Sequence, residues 1–140
     1  MKQECDVTMQ LNVTTDYGLR VVLYLAQKKA VASSNEICEA MGISPSYMYK
    51  ITKNLKKIGA LREIRGTAGG FELIKDPKCV TLLSVVKAFE KTMNVNRCLE
   101  EDKFCSRGAV SYCKVREFYD ETQTELHKKL DVPLSTFLTE

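Results

Sequence analysis

The chain has 140 residues, 44% of them apolar and 28% charged, with a formal net charge of +3, which suits one soluble domain or a small domain with an assembly arm. No run approaches the ~18 consecutive apolar residues of a membrane span, and Met1-Lys2-Gln3-Glu4-Cys5-Asp6 leads into no apolar segment, so neither a membrane partner nor a signal peptide is expected. Six cysteines in a chain expected to be cytoplasmic should stay reduced, which favours metal binding or redox sensing over disulfide bridges.

The first helix pattern follows the capping residues Thr14-Thr15-Asp16, with Leu19, Val22, Leu23 and Ala26 forming one apolar face. Ser33, with Glu36 three residues on, announces a short second helix through a capping box. That helix should turn Ile37, Ala40 and Met41 inward and stop at Gly42. Ser44-Pro45 opens a third helix, proline being well suited to the first helical position. Its apolar set is Met48, Ile51, Leu55 and Ile58, and Gly59 closes it. Two short helices about a turn, the second one basic, form a helix-turn-helix pattern.

Leu61-Arg62-Glu63-Ile64-Arg65 then alternates in the period of a strand, and so does Phe71-Glu72-Leu73-Ile74. Between them Gly66-Thr67-Ala68-Gly69-Gly70 forms a turn, so the pair reads as a hairpin wing. A fourth helix is expected over Leu82 to Lys91, burying Leu82, Val85, Val86 and Phe89. The next ~18 residues carry three cysteines and no clear period. A long helix then runs to about Leu130, with Val115, Phe118, Tyr119, Thr122, Leu126 and Leu130 along one side. The fold class is mainly α with a small β-hairpin: a winged helix-turn-helix head at 9–80, then a cysteine loop and long helix at 81–140.

Charge is unevenly spread. Residues 1–80 hold twelve basic and eight acidic side chains, while 81–140 hold nine and ten. Ser44 to Lys78 alone carries eight basic against three acidic, the footprint of a polyanion-binding head. A helix in a DNA major groove needs short polar or planar groups at its start and cations beyond them. Ser44, Ser46, Tyr47 and Lys50 meet the first need, and Lys53 and Lys57 the second. Arg65 at the wing tip is placed to enter a minor groove. The competing reading makes Tyr47 a half-buried core residue and the lysines an ordinary solvated face.

Cys98, Cys105 and Cys113 are separated by six and seven residues. Three thiolates on a loop can hold an iron–sulfur cluster, a tetrahedral zinc with one further ligand, or nothing at all. Neither gap is the short knuckle usual for zinc. The single histidine, His127, lies ~21 Å farther along one helix than Cys113 at ~1.5 Å per residue, so it cannot join them and reads as a solvated helix residue. Cys5, Cys38 and Cys79 look uncommitted. No nucleophile–base set or paired acid and base appears, so an enzyme is not expected.

The residues Met9-Gln10-Leu11, Thr15-Asp16-Tyr17-Gly18-Leu19-Arg20, Ile43-Ser44-Pro45-Ser46-Tyr47-Met48, Ile64-Arg65-Gly66 and Gly69-Gly70-Phe71 resemble the winged-helix repressors of the IscR/NsrR type, the Rrf-type regulators. With the cysteine triplet and the final helix, the resemblance spans about nine-tenths of the chain. It leaves out residues 1–8, expected to be a flexible extension. The resemblance implies a homodimer on palindromic double-stranded promoter DNA, with family contacts mapping onto Ser44, Ser46, Tyr47, Lys50 and Arg65. It also implies a cluster on Cys98, Cys105 and Cys113. The [2Fe–2S] branch places a histidine shortly after its third cysteine, where this chain has Lys114, Val115 and Arg116. The nitric-oxide-sensing branch uses an aspartate of the first helix from the other subunit, and Asp16 stands at that position; its plain alternative is a helix N-terminal charge. The expectation is a dimeric transcriptional regulator, a repressor, sensing nitric oxide, redox state or iron through a cluster, [4Fe–4S] rather than [2Fe–2S]. The alternatives are a cluster-free regulator answering to a protein, a metabolite or thiol oxidation, and a zinc-stabilised protein-interaction module.

Overall fold

The computed structural model describes residues 9–139; Cys5 and the expected N-terminal extension lie outside them. Among the described residues the chain forms α1 (Val13–Lys28), α2 (Ser34–Met41), α3 (Pro45–Lys57), β1 (Leu61–Ile64), β2 (Gly70–Leu73), α4 (Leu82–Phe89) and α5 (Lys114–Leu130), with short 3₁₀ turns at Arg97–Leu99 and Leu134–Phe137. This is the expected winged helix-turn-helix followed by a long helix. No helix among these residues is long and apolar enough to cross a membrane.

Helix α1 lies at the centre, packed against α2, α3, α4 and β2. It starts earlier than the threonines suggest. Asn12 is the cap, its side chain accepting from the Thr14 N–H at 2.9 Å, while Thr14 and Thr15 are buried in the first turn. The buried stripe is Gly18, Val21, Val22, Leu25 and Ala26, with Leu19 and Leu23 only partly covered. The stripe is rotated because α4 presses on Gly18, where an added Cβ would lie 2.3 Å from the Phe89 ring.

In α2 Ser33 caps as expected, accepting from the Glu36 N–H at 3.1 Å, but the expected capping box is only half formed, because the Glu36 carboxylate turns to the Tyr24 hydroxyl and Lys28. However, Ala40 is exposed and Met41 partly covered, while Cys38 joins Ile37 in the core. Gly42 turns left-handed, the Ile43 N–H bonds the Cys38 carbonyl, and Ile43 itself is buried in the core. Helix α3 buries Met48, Ile51 and Leu55 as read, together with Thr52; Ile58 becomes the partly covered end of the helix.

β1 and β2 pair antiparallel from Leu61↔Leu73 to Ile64↔Gly70. The wing is also stitched to the segment before α2, Ala32 and Phe71 exchanging backbone bonds of 2.9 and 2.8 Å. That close approach requires Gly70, whose φ is +154° and where a Cβ would stand 2.1 Å from the Ala32 carbonyl oxygen. Gly70→Ala should therefore cost about 2–4 kcal/mol, combining backbone strain and overpacking. Gly66→Ala, at φ +108° with open space around it, should lose only ~1 kcal/mol of that kind; thermal melts of the two variants check the difference.

Helix α4 ends at Phe89, two residues short of Lys91, because Glu90 leaves the helix. Its carboxylate accepts from the Asn12 N–H at 2.7 Å and the Thr15 hydroxyl at 2.6 Å, tying α4 to the start of α1. Beyond α5 the chain returns to the head. Leu82 N–H donates to the Val132 carbonyl, Leu134 N–H to Val80 and Ser135 N–H to Pro77. Leu134 is fully buried in the same core as α1 and α3, and Thr139 is bonded to the Gln27 amide.

Candidate functional site

The first surface is the outer face of α3 and the wing. Ser44 caps the helix through its backbone only, which leaves its hydroxyl beside that of Ser46, 3.2 Å away. Both serines, Lys50, Lys53 and Lys57 are exposed. Among the described residues Lys50, Lys53, Lys57 and Arg65 form no ion pair, whereas Lys56 pairs with Glu63 and Arg62 with Glu72. Arg65 is exposed just past β1. These cations are thus left uncompensated among the described residues.

Tyr47 is half-buried, its ring edge-on to Tyr17 at 5.1 Å. The competing reading of this residue therefore describes part of its role, since one side of the ring is committed to the head. Behind it, Arg20 lies over Tyr17 at 5.3 Å, donates to the Met41 carbonyl at 3.0 Å and pairs with Asp16 at 2.7 Å. Asp16 is exposed and engaged by Arg20 within its own chain.

The second surface is a cavity of about 440 Å³ lined by Cys98, Cys105 and Cys113, with Phe104, Val110, Val115 and Tyr119 and the cationic Arg97, Arg107 and Arg116. Neither Asp16 nor His127 lines it. Cys98 sits on the 3₁₀ turn, Cys105 on the loop, and Cys113 caps α5 by accepting from the Arg116 N–H at 3.4 Å. Non-local pins bring them together. The Arg116 side chain donates to the Cys98 carbonyl at 3.2 Å, and the fully buried Ala109 holds the loop, its carbonyl accepting from the Cys113 N–H. Donors face the sulfurs. Asn96 donates to Cys98 Sγ at 3.3 Å, and the backbone N–H groups of Ala109 and Arg107, with the Arg107 charge, hold the Cys105 thiol below its ordinary range. The described cysteines are all free thiols.

Among the described residues no three His, Cys, Asp or Glu side chains close on a point that suits one metal ion. The thiols ring a cavity instead. One tetrahedral zinc would need every sulfur about 2.3 Å from one centre, whereas a multi-iron cluster spreads its thiolates. The donor chemistry of three thiols, thiolate-favouring hydrogen bonds and nearby cations fits a cluster.

His127 is not a plainly solvated residue. It is half-buried and hydrogen-bonded to the Gln123 amide, which accepts from the Val95 N–H at 2.7 Å. Cys38 is in the core and Cys79 is exposed by itself. Residue patterning overlooked Tyr49, the most exposed aromatic of α3, although its place three residues after Ser46 was a usable signal.

These features define a winged-helix protein with a ring of thiols at the foot of an uncovered helix. The profile of the Rrf2 family, described as iron-dependent transcriptional regulators, matches residues 11–134, and the chain belongs to that family. The HTH-type transcriptional regulator NsrR of Halalkalibacterium halodurans is 32% identical over 126 residues, 88% of this chain and 85% of that protein. The NsrR of Shouchella clausii is 34% identical over 96 residues, 67% of this chain but 64% of its own length, slightly under two thirds. Among solved structures, CymR, the global cysteine regulator of B. subtilis, superposes with a TM-score of 0.72 at 21% identity, covering 91% of this chain and 95% of that one. The T. potens IscR gives a TM-score of 0.70 at 18% identity, covering 91% and 84%. Both structures share the fold.

Proposed function

We propose that this chain is a homodimeric DNA-binding repressor that senses nitric oxide, redox state or iron through an iron–sulfur cluster. The observation that carries the reading is the gathering of Cys98, Cys105 and Cys113 around one cavity, at the start of the long helix that follows an exposed cationic head. Residues 9–80 read DNA, and 81–140 hold the cluster and the second subunit. Ser44, Ser46, Tyr47, Lys50 and Lys53 face the major groove and Arg65 the minor groove. The three cysteines hold the cluster, [4Fe–4S] in preference to [2Fe–2S], and Asp16 of the partner subunit completes it once freed from Arg20. When bound, such a group supplies iron that reacts with nitric oxide or oxidants. What this chain's residues do is favour the thiolate of Cys105, through the Ala109 and Arg107 N–H groups and the Arg107 charge, and orient Cys98 through the Asn96 amide.

Anaerobic purification with iron and sulfide analysis tests the reading, since a colourless preparation with one zinc per chain would favour a zinc-stabilised module. A cluster-free regulator is the second reading. CymR of B. subtilis, a cysteine regulator of the same fold, supports it; DNA binding that answers to thiol oxidation without bound iron would favour it.

Arg65→Ala should weaken operator binding by about 1–3 kcal/mol and relax base preference, whereas Lys57→Ala should weaken all DNA about equally and lower the salt slope. Titrations of specific and random duplexes over a salt series separate the two effects. Wild-type affinity in Arg65→Ala would remove the wing from the interface.

A further inference from the structure

The outer stripe of α3 is set by helix geometry. Met48, Ile51, Thr52 and Leu55 turn inward, so the residues at i, i+3, i+4 and i+7 from Ser46 turn outward together: Tyr49, Lys50 and Lys53. Tyr49 is at the middle of that stripe and is 78% exposed, whereas Tyr47 sits at its edge with its ring against Tyr17. Lys53 stands over the Tyr49 ring, 6.0 Å from its centre, so the ring is flanked by a cation rather than packed on the core. A large aromatic left to water between unpaired lysines has no structural duty in the head, and aromatic rings in such places mark binding surfaces.

We infer that Tyr49 is a base-reading residue that packs its ring against a thymine methyl group in each half-site. The inference rests on the DNA-binding reading above and adds a specificity determinant to it. The physical basis is shape and polarity. Thymine alone offers an apolar group on the major-groove floor, and apolar or aromatic side chains recognise it by contact. Ser44, Ser46, Lys50 and Lys53 supply only polar contacts, and one side of the Tyr47 ring is committed to Tyr17, so Tyr49 is the exposed aromatic of this face able to select thymine.

The test begins with selection of bound duplexes from a randomised pool by the full-length wild-type protein, followed by anisotropy titrations on the selected duplex. Tyr49→Ala should lose about 5–30-fold in affinity for it and leave binding to a random duplex and the thermal midpoint unchanged, because the side chain is exposed. Tyr49→Phe should retain thymine preference. Replacing one thymine at a time by uracil removes only the methyl group; at one position per half-site this should weaken the wild type and Tyr49→Phe but not Tyr49→Ala. The inference is overturned if Tyr49→Ala selects the same thymines as the wild type, or if every uracil substitution weakens both proteins equally. A wild type that selects no sequence at all would overturn the DNA reading, and this one with it.

Discussion

Anaerobically purified wild-type protein should be coloured and carry iron and sulfide, and Cys98→Ser, Cys105→Ser and Cys113→Ser should each abolish the colour. The three sulfurs share one cavity, and thiolates supply most of a cluster's binding, so loss of one removes more than its share. Serine keeps the size of the side chain but is a poor ligand for iron. Each site is partly exposed, so the folded head should persist, and circular dichroism should show an unchanged helical signal. Cys5→Ser, Cys38→Ser and Cys79→Ser should retain iron. Asp16→Ala should leave the cluster assembled but alter its lability, because water or a small thiol can occupy one corner. Wild-type iron content in Cys105→Ser would end the three-thiol assignment, since the loop N–H groups already favour the thiolate at that position.

Phe118→Asp should convert the protein to monomers. Helix α5 fully buries only Gln123, leaving Phe118 66% exposed, Val115 56% and Leu126 40%. An apolar stripe of this kind, uncovered by its own chain, is what a second copy would bury. Removing a Phe from such an interface costs about 1.5–3 kcal/mol per side. A two-fold interface counts the change twice, so the dimer constant should rise by more than ~100-fold even before the cost of burying the aspartate. Phe118 does not line the cysteine cavity, so the monomer should still take up iron. Sedimentation velocity over a concentration series measures this, and a wild type already monomeric at micromolar concentration would refute the dimer.

How much of this was legible in the residues follows from the range of each interaction. Caps and turns act within a few positions, so the Ser33 cap, Pro45 at the start of α3, the two alternating strands and the glycine tip could all be read directly. Periodicity announced an apolar face on α1 and α2 but not its edges. Phe89 pressing on Gly18 rotated the buried stripe of α1, and Cys38 rather than Ala40 was buried on α2, because facing elements decide which border residues are covered. Glu90 ended α4 early through bonds to Asn12 and Thr15 some 75 residues away, a separation that local patterning cannot sense.

The candidate site divides in the same way. Spacing alone showed three thiols on a loop without a period and lysines on one face of α3. Only tertiary contacts gathered the sulfurs: the buried Ala109 pins the loop, and Arg116 reaches back to Cys98. Likewise, Tyr47 and Tyr49 are equivalent as letters, and Tyr17 on another helix determines which ring is shielded and which faces outward. The sequence by itself determined the elements, the cationic head and the identity of the thiols, because those depend on neighbours along the chain. The tertiary structure decided which side chains meet, because burial and convergence depend on neighbours in space.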